Sequence, residues 1–236
     1  MNRGIYTAAT GMAAMRRQLD VTANNLANVS TNGFKRDELA FNDLFAQQLD
    51  NGTGSIGFGP TGFSEFTAFN DVGELRPTGN SLDLAIDGPK GAFALRTTQG
   101  TVAYTRDGSF DRDSEGYLVT RNGDRVLDDS MSEIQLGQGA ATVTQSGSVI
   151  VDGEEVATIG VFDGQFTKTG QNRYSGVANA LDDVRIKSGH LEGSNVNAIE
   201  AMTTMITLNR SFEIAQRSIT AQDELAQRLI QSMNGQ

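Results

Sequence analysis

The stretch Val21–Arg36, VTANNLANVSTNGFKR, decides the fold because it ends the N-terminal helical pattern and turns the chain out of it. The dipeptide Asn32-Gly33 readily adopts the left-handed conformation found just after helices, so it is the predicted stop. Phe34 then gives the departing chain an apolar anchor, and the basic pair Lys35-Arg36 follows it. The sequence therefore predicts an N-terminal helix that finishes at this turn.

The apolar residues before this turn recur in alternating steps of three and four, which is the spacing of a heptad seam. Such a seam is typical of a helix that packs against another helix. Ala, Thr and Met at several seam positions make this helix marginal alone in water. The plainer alternative is an ordinary amphipathic helix with a good stop signal. The seam positions are Ile5, Ala8, Met12, Met15, Leu19, Thr22, Leu26 and Val29.

A second helical pattern closes the chain. It begins where Asn197 and Glu200 form a pair similar to a capping box, and no Gly or Pro interrupts it before Gly235. A helix of this length extends about 50 Å at about 1.5 Å per residue, so the two terminal helices are predicted to meet as a coiled coil apart from the rest of the chain. The alternative is a helix pair packed on the sheet of one compact domain. The second seam consists of Ala198, Ala201, Met205, Leu208, Phe212, Ala215, Ile219, Gln222, Ala226, Leu229 and Met233.

The C-terminal helix carries more apolar residues than one thin partner helix could cover. Apolar surface without cover inside the chain indicates assembly, so the helical pair is predicted to be completed by copies of itself or by relatives. The additional apolar residues are Met202, Ile206, Ile214, Leu225 and Ile230.

Between the helices the apolar period changes to two, and Asn-Gly and Asp-Gly turns separate the short runs. The clearest hairpins are predicted at Tyr117–Leu127, around Asn122-Gly123, and at Val149–Val161, around Asp152-Gly153. No crossover helices are apparent, so this region is predicted to be an antiparallel all-β domain, either a sandwich or a barrel-like body, and the fold class α+β.

These patterns divide the chain into three predicted regions. The regions are a terminal helical domain at 1–33 and 190–236, an extended arm with a glycine-rich segment at 34–71, and a β-rich outer domain at 72–189. Within the extended arm, Asp37–Leu49 holds a short apolar set that fits either a short helix or an extended strand-like segment.

Composition and charge exclude several classes of function. A net charge of −10 and no basic stripe argue against nucleic acid as a partner. The chain has no cysteine, which rules out disulfides and thiolate-metal sites. No apolar run is long enough to span a bilayer. The N-terminus lacks the apolar core and cleavage pattern of a secretory signal, so any export is expected to use another route.

No motif predicts catalysis, a cofactor or a metal ion. The segment Gly57–Gly62 contains a formal GxGxxG, but no strand precedes it and no helix opening follows. Asp111–Gly116 imitates the start of an EF-hand, yet Asn122 stands where the loop needs a glutamate, so a solvated acidic hairpin tip is predicted. His190 is the only histidine and is interpreted as a surface or linker residue.

Two motifs at opposite ends of the chain carry a resemblance to a known family. Ala23–Arg36, ANNLANVSTNGFKR, closely resembles the signature of bacterial flagellar axial proteins, the rod and hook family. Leu191–Asn197, LEGSNVN, and the segment Asn209–Glu213 resemble that family's C-terminal signature. By the family's pattern, the residues that shape the helix junctions and serve assembly are Asn24, Asn25, Asn28, Asn32, Gly33, Phe34, Ser194, Asn195 and Val196. The helix-seam residues expected to serve the same assembly are Ile5, Met12, Leu19, Leu26, Met205, Leu208, Phe212, Ile219 and Leu229.

The resemblance implies a non-enzymatic structural subunit of the flagellar basal-body rod, with a proximal rod member favoured over a distal one. Such a subunit would polymerise helically into a hollow drive shaft, with the terminal helices as an inner coiled-coil layer and the β domain outside. It implies copies of itself, other rod and hook proteins, the flagellar type III export apparatus and the surrounding rings as partners. Its location would be outside the cytoplasmic membrane, in the periplasm where an outer membrane exists. The rival hypothesis is a self-contained β-domain ligand-binding module or enzyme with a helical clasp.

Overall fold

The structure is a computed structural model that describes residues 2–42, 62–181 and 184–234. The helices predicted at the two ends of the chain are present, as α1 at Asn2–Ala27 and α2 at Ala198–Asn234. The glycine-rich GxGxxG segment lies outside the described residues. Within the described part of the chain, neither helix combines the length and the apolar character needed to cross a membrane.

The side chain of Asn197 fixes the start of α2. Its Oδ1 accepts the backbone N–H groups of Ile199 and Glu200, at 3.1 Å and 3.3 Å. The first N–H groups of a helix have no partner within the helix, and an asparagine at this position supplies one. The predicted start of the C-terminal helix is therefore confirmed.

Short strands fill most of the chain between the helices, and the fold class is α+β, as predicted. From β3 onwards the pairings that define the sheets are antiparallel. The strands of the described residues are β1 Asp37–Asn42, β2 Gly62–Thr67, β3 Leu75–Pro77, β4 Leu84–Ile86, β5 Ala92–Arg96, β6 Val102–Thr105, β7 Phe110–Arg112, β8 Leu118–Thr120, β9 Arg125–Val126, β10 Ala141–Val143, β11 Ser148–Val151, β12 Glu154–Thr158, β13 Val161–Gly170, β14 Arg173–Ala180, β15 Ile186–Ser188 and β16 His190–Glu192.

Four strands of the main sheet close into a ring. The sheet runs β13-β14-β6-β5-β9-β8-β7, and β13 also pairs with β5, through Val161↔Phe93 and Phe162↔Ala92. Pairing at both sides removes free edges from the start of β5. This strand is buried along most of its length because Phe93 and Leu95 pack in one core cluster and Ala92 and Ala94 in another. The ring covers a small aromatic core, in which Phe69 contacts Phe166 and Tyr174 with ring centroids 4.7 Å and 5.1 Å apart.

Both hairpins that the turn signals predicted are confirmed. β8 pairs with β9 on either side of Asn122-Gly123, through Val119↔Arg125. β11 pairs with β12 around Asp152-Gly153, with Val151 opposite Glu154. Asp152 and Gly153 both have positive φ, 52° and 92°, which is the backbone of a two-residue hairpin turn.

Two differences from the sequence interpretation concern segments next to the helices. Asp37–Asn42 forms a strand, so the extended alternative is correct for these six residues, and the remainder of Asp37–Leu49 lies outside the described residues. His190 begins β16, where it pairs with Pro77 of β3 and is half-buried, so it is a sheet residue and not part of a linker.

The contacts group the chain into two compact units. The helical unit consists of the described residues of Met1–Ala27, Asp37–Phe66 and Asn197–Gln236, and in it α1 packs against α2. The β unit consists of Asn28–Arg36 and the described residues of Thr67–Val196. The predicted domain limits at 33 and 190 stay a prediction.

Candidate assembly site

Position 33 requires a glycine for two independent reasons. Its φ is +63°, a conformation that side chains rarely adopt. A Cβ at this position would also lie 2.3 Å from the backbone carbon of Arg106 and from the backbone nitrogen of Asp107. The Gly33 N–H donates to the carbonyl of Glu192 at 2.7 Å. The two signature motifs therefore meet at this residue.

Phe34 is the apolar anchor that the sequence predicted, with 2% of its surface exposed. The Nζ atom of Lys168, on β13, lies 4.0 Å from the centre of its ring, within cation–π distance. Asn172, in the turn between β13 and β14, donates from Nδ2 to the carbonyl of Asn32 at 2.8 Å. The hairpin β13–β14 thus contacts both Phe34, through Lys168, and the turn before it, through Asn172.

The side chain after the anchor, Lys35, is fully buried and pairs with a carboxylate. Its Nζ lies 2.6 Å from Oε1 of Glu192 and donates to the backbone carbonyl of Asp71, also at 2.6 Å. The same Oε1 accepts the backbone N–H of Gly73 at 2.9 Å. One carboxylate oxygen therefore connects the N-terminal signature, the chain before β3 and the C-terminal signature.

A second buried cation shares this carboxylate. Nε of Arg106 lies 3.0 Å from Oε2 of Glu192, and both side chains are almost completely buried. The rest of the Arg106 guanidinium donates to the carbonyls of Gly88, Lys90 and Gly91, at 2.5–3.1 Å. We refer to Lys35, Arg106 and Glu192 as the buried ion cluster.

Burial dominates the electrostatics of the cluster. It lowers the pKa of the Lys35 ammonium, and attraction to Glu192 opposes that shift. Burial lowers the pKa of the Arg106 guanidinium as well, again against the attraction of Glu192. Removing water from two cations is expensive unless a carboxylate stays in contact with them, so Glu192 is the residue on which the cluster depends.

Asn195, from the C-terminal signature, bonds to two segments of the chain that follow the turn. Its Oδ1 accepts the Arg36 N–H at 2.7 Å, and its Nδ2 donates to the carbonyls of Ala68 and Asp71 at 3.2 Å and 3.3 Å. Its own backbone N–H donates to the Phe34 carbonyl. One amide side chain therefore joins the C-terminal signature to two other chain segments, at Arg36 and at Ala68–Asp71.

The other predicted junction residues make local contacts. Within the helical unit, Asn25 bonds to both backbone groups of Asp37, accepting its N–H at 2.9 Å and donating to its carbonyl at 2.8 Å. Asn28 Oδ1 accepts the Thr31 hydroxyl at 3.2 Å. Asn24 is exposed. In the β unit, the Ser194 hydroxyl accepts the N–H of Val196 at 3.2 Å.

The predicted seam residues lie on the two helices. Those with described side chains are half-buried, and the side chains of Ile5 and Leu229 lie outside the described residues. Their part in assembly stays a prediction. The half-buried seam residues are Met12, Leu19, Leu26, Met205, Leu208, Phe212 and Ile219.

Sequence reasoning missed the buried ion cluster. Lys35 and Glu192 both lie inside the quoted motifs, but a Lys beside an Arg is normally a solvated pair, and Arg106 gave no signal at all. The one signal for the cluster was that Lys35 directly follows Phe34, which was expected to be an apolar anchor.

The metal-like motif behaves as a turn. Asp113 Oδ1 accepts the N–H groups of Glu115 and Tyr117, at 2.9 Å and 2.8 Å, as in an acidic hairpin tip. Among the described residues, no three His, Cys, Asp or Glu side chains are grouped so as to hold a metal ion.

Comparison with known families agrees with this geometry. Residues 5–35 match the model "Flagella basal body rod protein", residues 85–151 match "Flagellar hook protein FlgE/F/G D1 domain", and residues 187–232 match "Flagellar basal body rod FlgEFG protein C-terminal". The first and last of these segments contain the two motifs that the junction joins.

Individual relatives match nearly the whole chain. The flagellar basal-body rod protein FlgG of Bacillus subtilis is 34% identical, over 98% of both chains. The rod protein FlgF of Rhizobium meliloti is 35% identical over 90% of both chains. The FlgF protein of Caulobacter vibrioides is 32% identical, over 99% of this chain and 98% of its own.

Proposed function

The chain belongs to the family of flagellar basal-body rod proteins, and we propose that it polymerises helically, with copies of itself and with other rod and hook proteins, into the hollow shaft that transmits torque from motor to hook. In this proposal the terminal helices form a coiled-coil inner layer and the protein acts without catalysis. It leaves the cytoplasm through the flagellar type III export apparatus and works outside the cytoplasmic membrane, with ring proteins around the shaft.

The observation that carries this proposal is that α2 has two apolar faces. One face, with Ala201 and Leu208, is buried or half-buried in the helical unit, where α2 packs against α1. On the opposite side, at about 100° per residue, Ile199, Ile206 and Ile214 are 77%, 54% and 64% exposed. One partner helix therefore leaves a second face without cover.

The energy available from covering that face is sufficient to matter. Full burial of an isoleucine side chain is favourable by about 1.5–3 kcal/mol, so three largely exposed isoleucines offer several kcal/mol per copy. In a helical polymer, each contact between copies adds this gain. Exposed apolar surface of this kind marks interaction sites in proteins that are otherwise polar outside.

Within the rod, we assign the chain to the proximal part. The residues behind this assignment are Ile5–Ala8, Leu191–Val196 and Glu200–Thr203, which resemble the proximal member more than the distal one. Relatives of both names match the chain at similar identity. Expression of the chain in two strains, one without its proximal rod protein and one without its distal rod protein, tests the assignment. Motility should return in the strain without the proximal protein and not in the other.

Substitution of the exposed α2 face tests assembly itself. The double variant Ile199→Ser, Ile206→Ser is expected to fold and to be missing from isolated basal bodies, with loss of swimming in cells that depend on it. The matched control is Val177→Ser, since Val177 is 87% exposed on the β unit. Normal incorporation of the α2 double variant, alongside the control, would contradict the proposal.

A further inference from the structure

A cavity opens at one end of the three-stranded sheet β10-β11-β12. It has a volume of about 580 Å³ and is lined by residues of the β unit. Leu75, Val143 and Ile186 supply apolar wall, and Gln145, Lys187 and His190 supply polar groups. A cavity of this size and mixed lining can hold two or three side chains of a partner.

The positive group of the cavity is available to a new partner. Lys187 Nζ lies 3.1 Å from Asp87, but both side chains are about 40% exposed. An ion pair with that degree of exposure contributes little, so exchange of Asp87 for another carboxylate costs little. The His190 ring donates from Nδ1 to the Ser188 carbonyl at 2.9 Å, which fixes the ring at the wall of the cavity.

The opposite end of the same sheet carries a complementary projection. Val143 pairs with Val149 at the cavity end, whereas Ala141 pairs with Val151 at the other end, where β11 turns into β12. The turn places Glu154 and Glu155 in solvent, and Val156 is 49% exposed beside them. The two residues of the turn itself, Asp152 and Gly153, have positive φ, which makes it a tight, preorganised turn.

From this pairing of shapes and charges we infer that the cavity binds the tip of the β11–β12 hairpin of a second copy of the chain, through Glu154–Val156 at the start of β12. Glu154 and Glu155 lie on opposite faces of β12, so one of them meets Lys187, and Val156 meets the apolar wall. Cavity and turn lie at opposite ends of one sheet, so the contact is heterologous: each copy offers its cavity to one neighbour and its turn to the next. Because each contact leaves one cavity and one turn free at the two ends of the pair, it can repeat from copy to copy.

The inference rests on the proposed function, because only a polymer brings copies together in this repeating way. It adds a contact between β units to the association of helices. The occupant is a copy of this chain because one molecule carries both complementary surfaces.

Engineered cysteines give the direct test, since the chain has none of its own. The double variant Gln145→Cys, Val156→Cys replaces the native chain in swimming cells, and basal bodies are isolated after mild oxidation. We expect a ladder of disulfide-linked dimers, trimers and larger species on a non-reducing gel. The matched control, Gln145→Cys with Val177→Cys, should give no ladder.

Each other outcome overturns one claim. Basal bodies that contain the double variant but give no ladder contradict the contact and leave helical assembly intact. Absence of the unsubstituted chain from basal bodies contradicts the proposed function instead.

Charge exchange gives an independent test that needs no cross-link. Lys187→Glu should reduce incorporation into basal bodies at least several-fold, because a glutamate of the incoming copy then meets a carboxylate instead of an ammonium group. Adding Glu154→Lys and Glu155→Lys to the same chain should restore it. Failure of this restoration would show that Lys187→Glu acts only on its own unit, through Asp87, and would overturn the contact.

Discussion

The junction in the β unit and the helix pair differ most in what each leaves exposed. At the junction, Phe34 and the three charged groups of the buried ion cluster are removed from water, and each charge has a partner within the chain. In α1 and α2, only Val21, Thr22 and Ala201 are buried among the described side chains, while several apolar residues of α2 are exposed. The first region is complete in one copy, whereas the second has surface left for others.

Substitutions in the two regions should therefore change different properties, which are stability at the junction and assembly on the helices. Substitutions at the junction act on groups that are already desolvated and paired, so they should destabilise the isolated chain. Substitutions on the exposed face of α2 remove no contact from one copy, so they should change assembly and leave the isolated chain almost as stable as before. Among the junction substitutions, the expected loss of stability decreases from Glu192 to Gly33 to Asn195.

The largest effect is expected for Glu192→Gln, which leaves the two buried cations of the cluster without a counter-charge. Loss of one member of a buried ion pair typically costs about 3–5 kcal/mol. Urea denaturation of the full chain measures the change in the free energy of unfolding. The control Glu74→Gln removes an exposed partner of Arg76, 3.6 Å away, and should change stability by less than about 0.5 kcal/mol. Equal effects of the two substitutions would contradict the role of the cluster.

The next effect is expected for Gly33→Ala, where two costs combine. The left-handed backbone costs about 1–2 kcal/mol for a residue with a Cβ, and contact with the Arg106 backbone adds about 1–3 kcal/mol. Gly79→Ala is the matched control, since Gly79 has φ +78° but nothing within 4 Å of the added Cβ. Thermal unfolding should separate the two, with the larger drop in Tm for Gly33→Ala. If both glycines respond alike, close approach to Arg106 is not a constraint.

A smaller effect is expected for Asn195→Ala. It removes the acceptor of the Arg36 N–H and the donor to two carbonyls, in a half-buried place that water can partly reach. A loss of about 1–3 kcal/mol follows from leaving such groups without partners. Asn195→Asp keeps the acceptor but places a carboxylate oxygen against the two carbonyls that Nδ2 contacts, so its denaturation midpoint should lie at or below that of Asn195→Ala. A midpoint for Asn195→Ala equal to that of the unsubstituted chain would contradict the role of the amide.

The sequence predicted the parts of the molecule that depend on local patterns. Helix periodicity, the cap at Asn197 and the turns at Asn122-Gly123 and Asp152-Gly153 all act over a few residues, so they can be read without knowledge of the rest of the chain. The strand at Asp37–Asn42 was less certain because its apolar spacing fits both periods.

The buried ion cluster could not be predicted because its members are far apart in sequence. Lys35 and Glu192 are 157 residues apart and meet at 2.6 Å only in the folded β unit. Single-sequence patterns place charges outside, and the exceptions depend on long-range packing. The same reason explains why the spacing of the strands indicated a sandwich or a barrel-like body without choosing between them, and did not predict the pairing of β13 with β5.

Hydrogen exchange of the dilute full-length chain, read by mass spectrometry, tests the contrast between the two regions most directly. The account predicts that amides of α1 and α2 exchange at least tenfold faster than those of β5, where the backbone is paired on both sides and buried. The helix amides should then become protected when the chain is incorporated into basal bodies. Helices that are as protected as β5 in the dilute chain would contradict the claim that they are completed only by assembly.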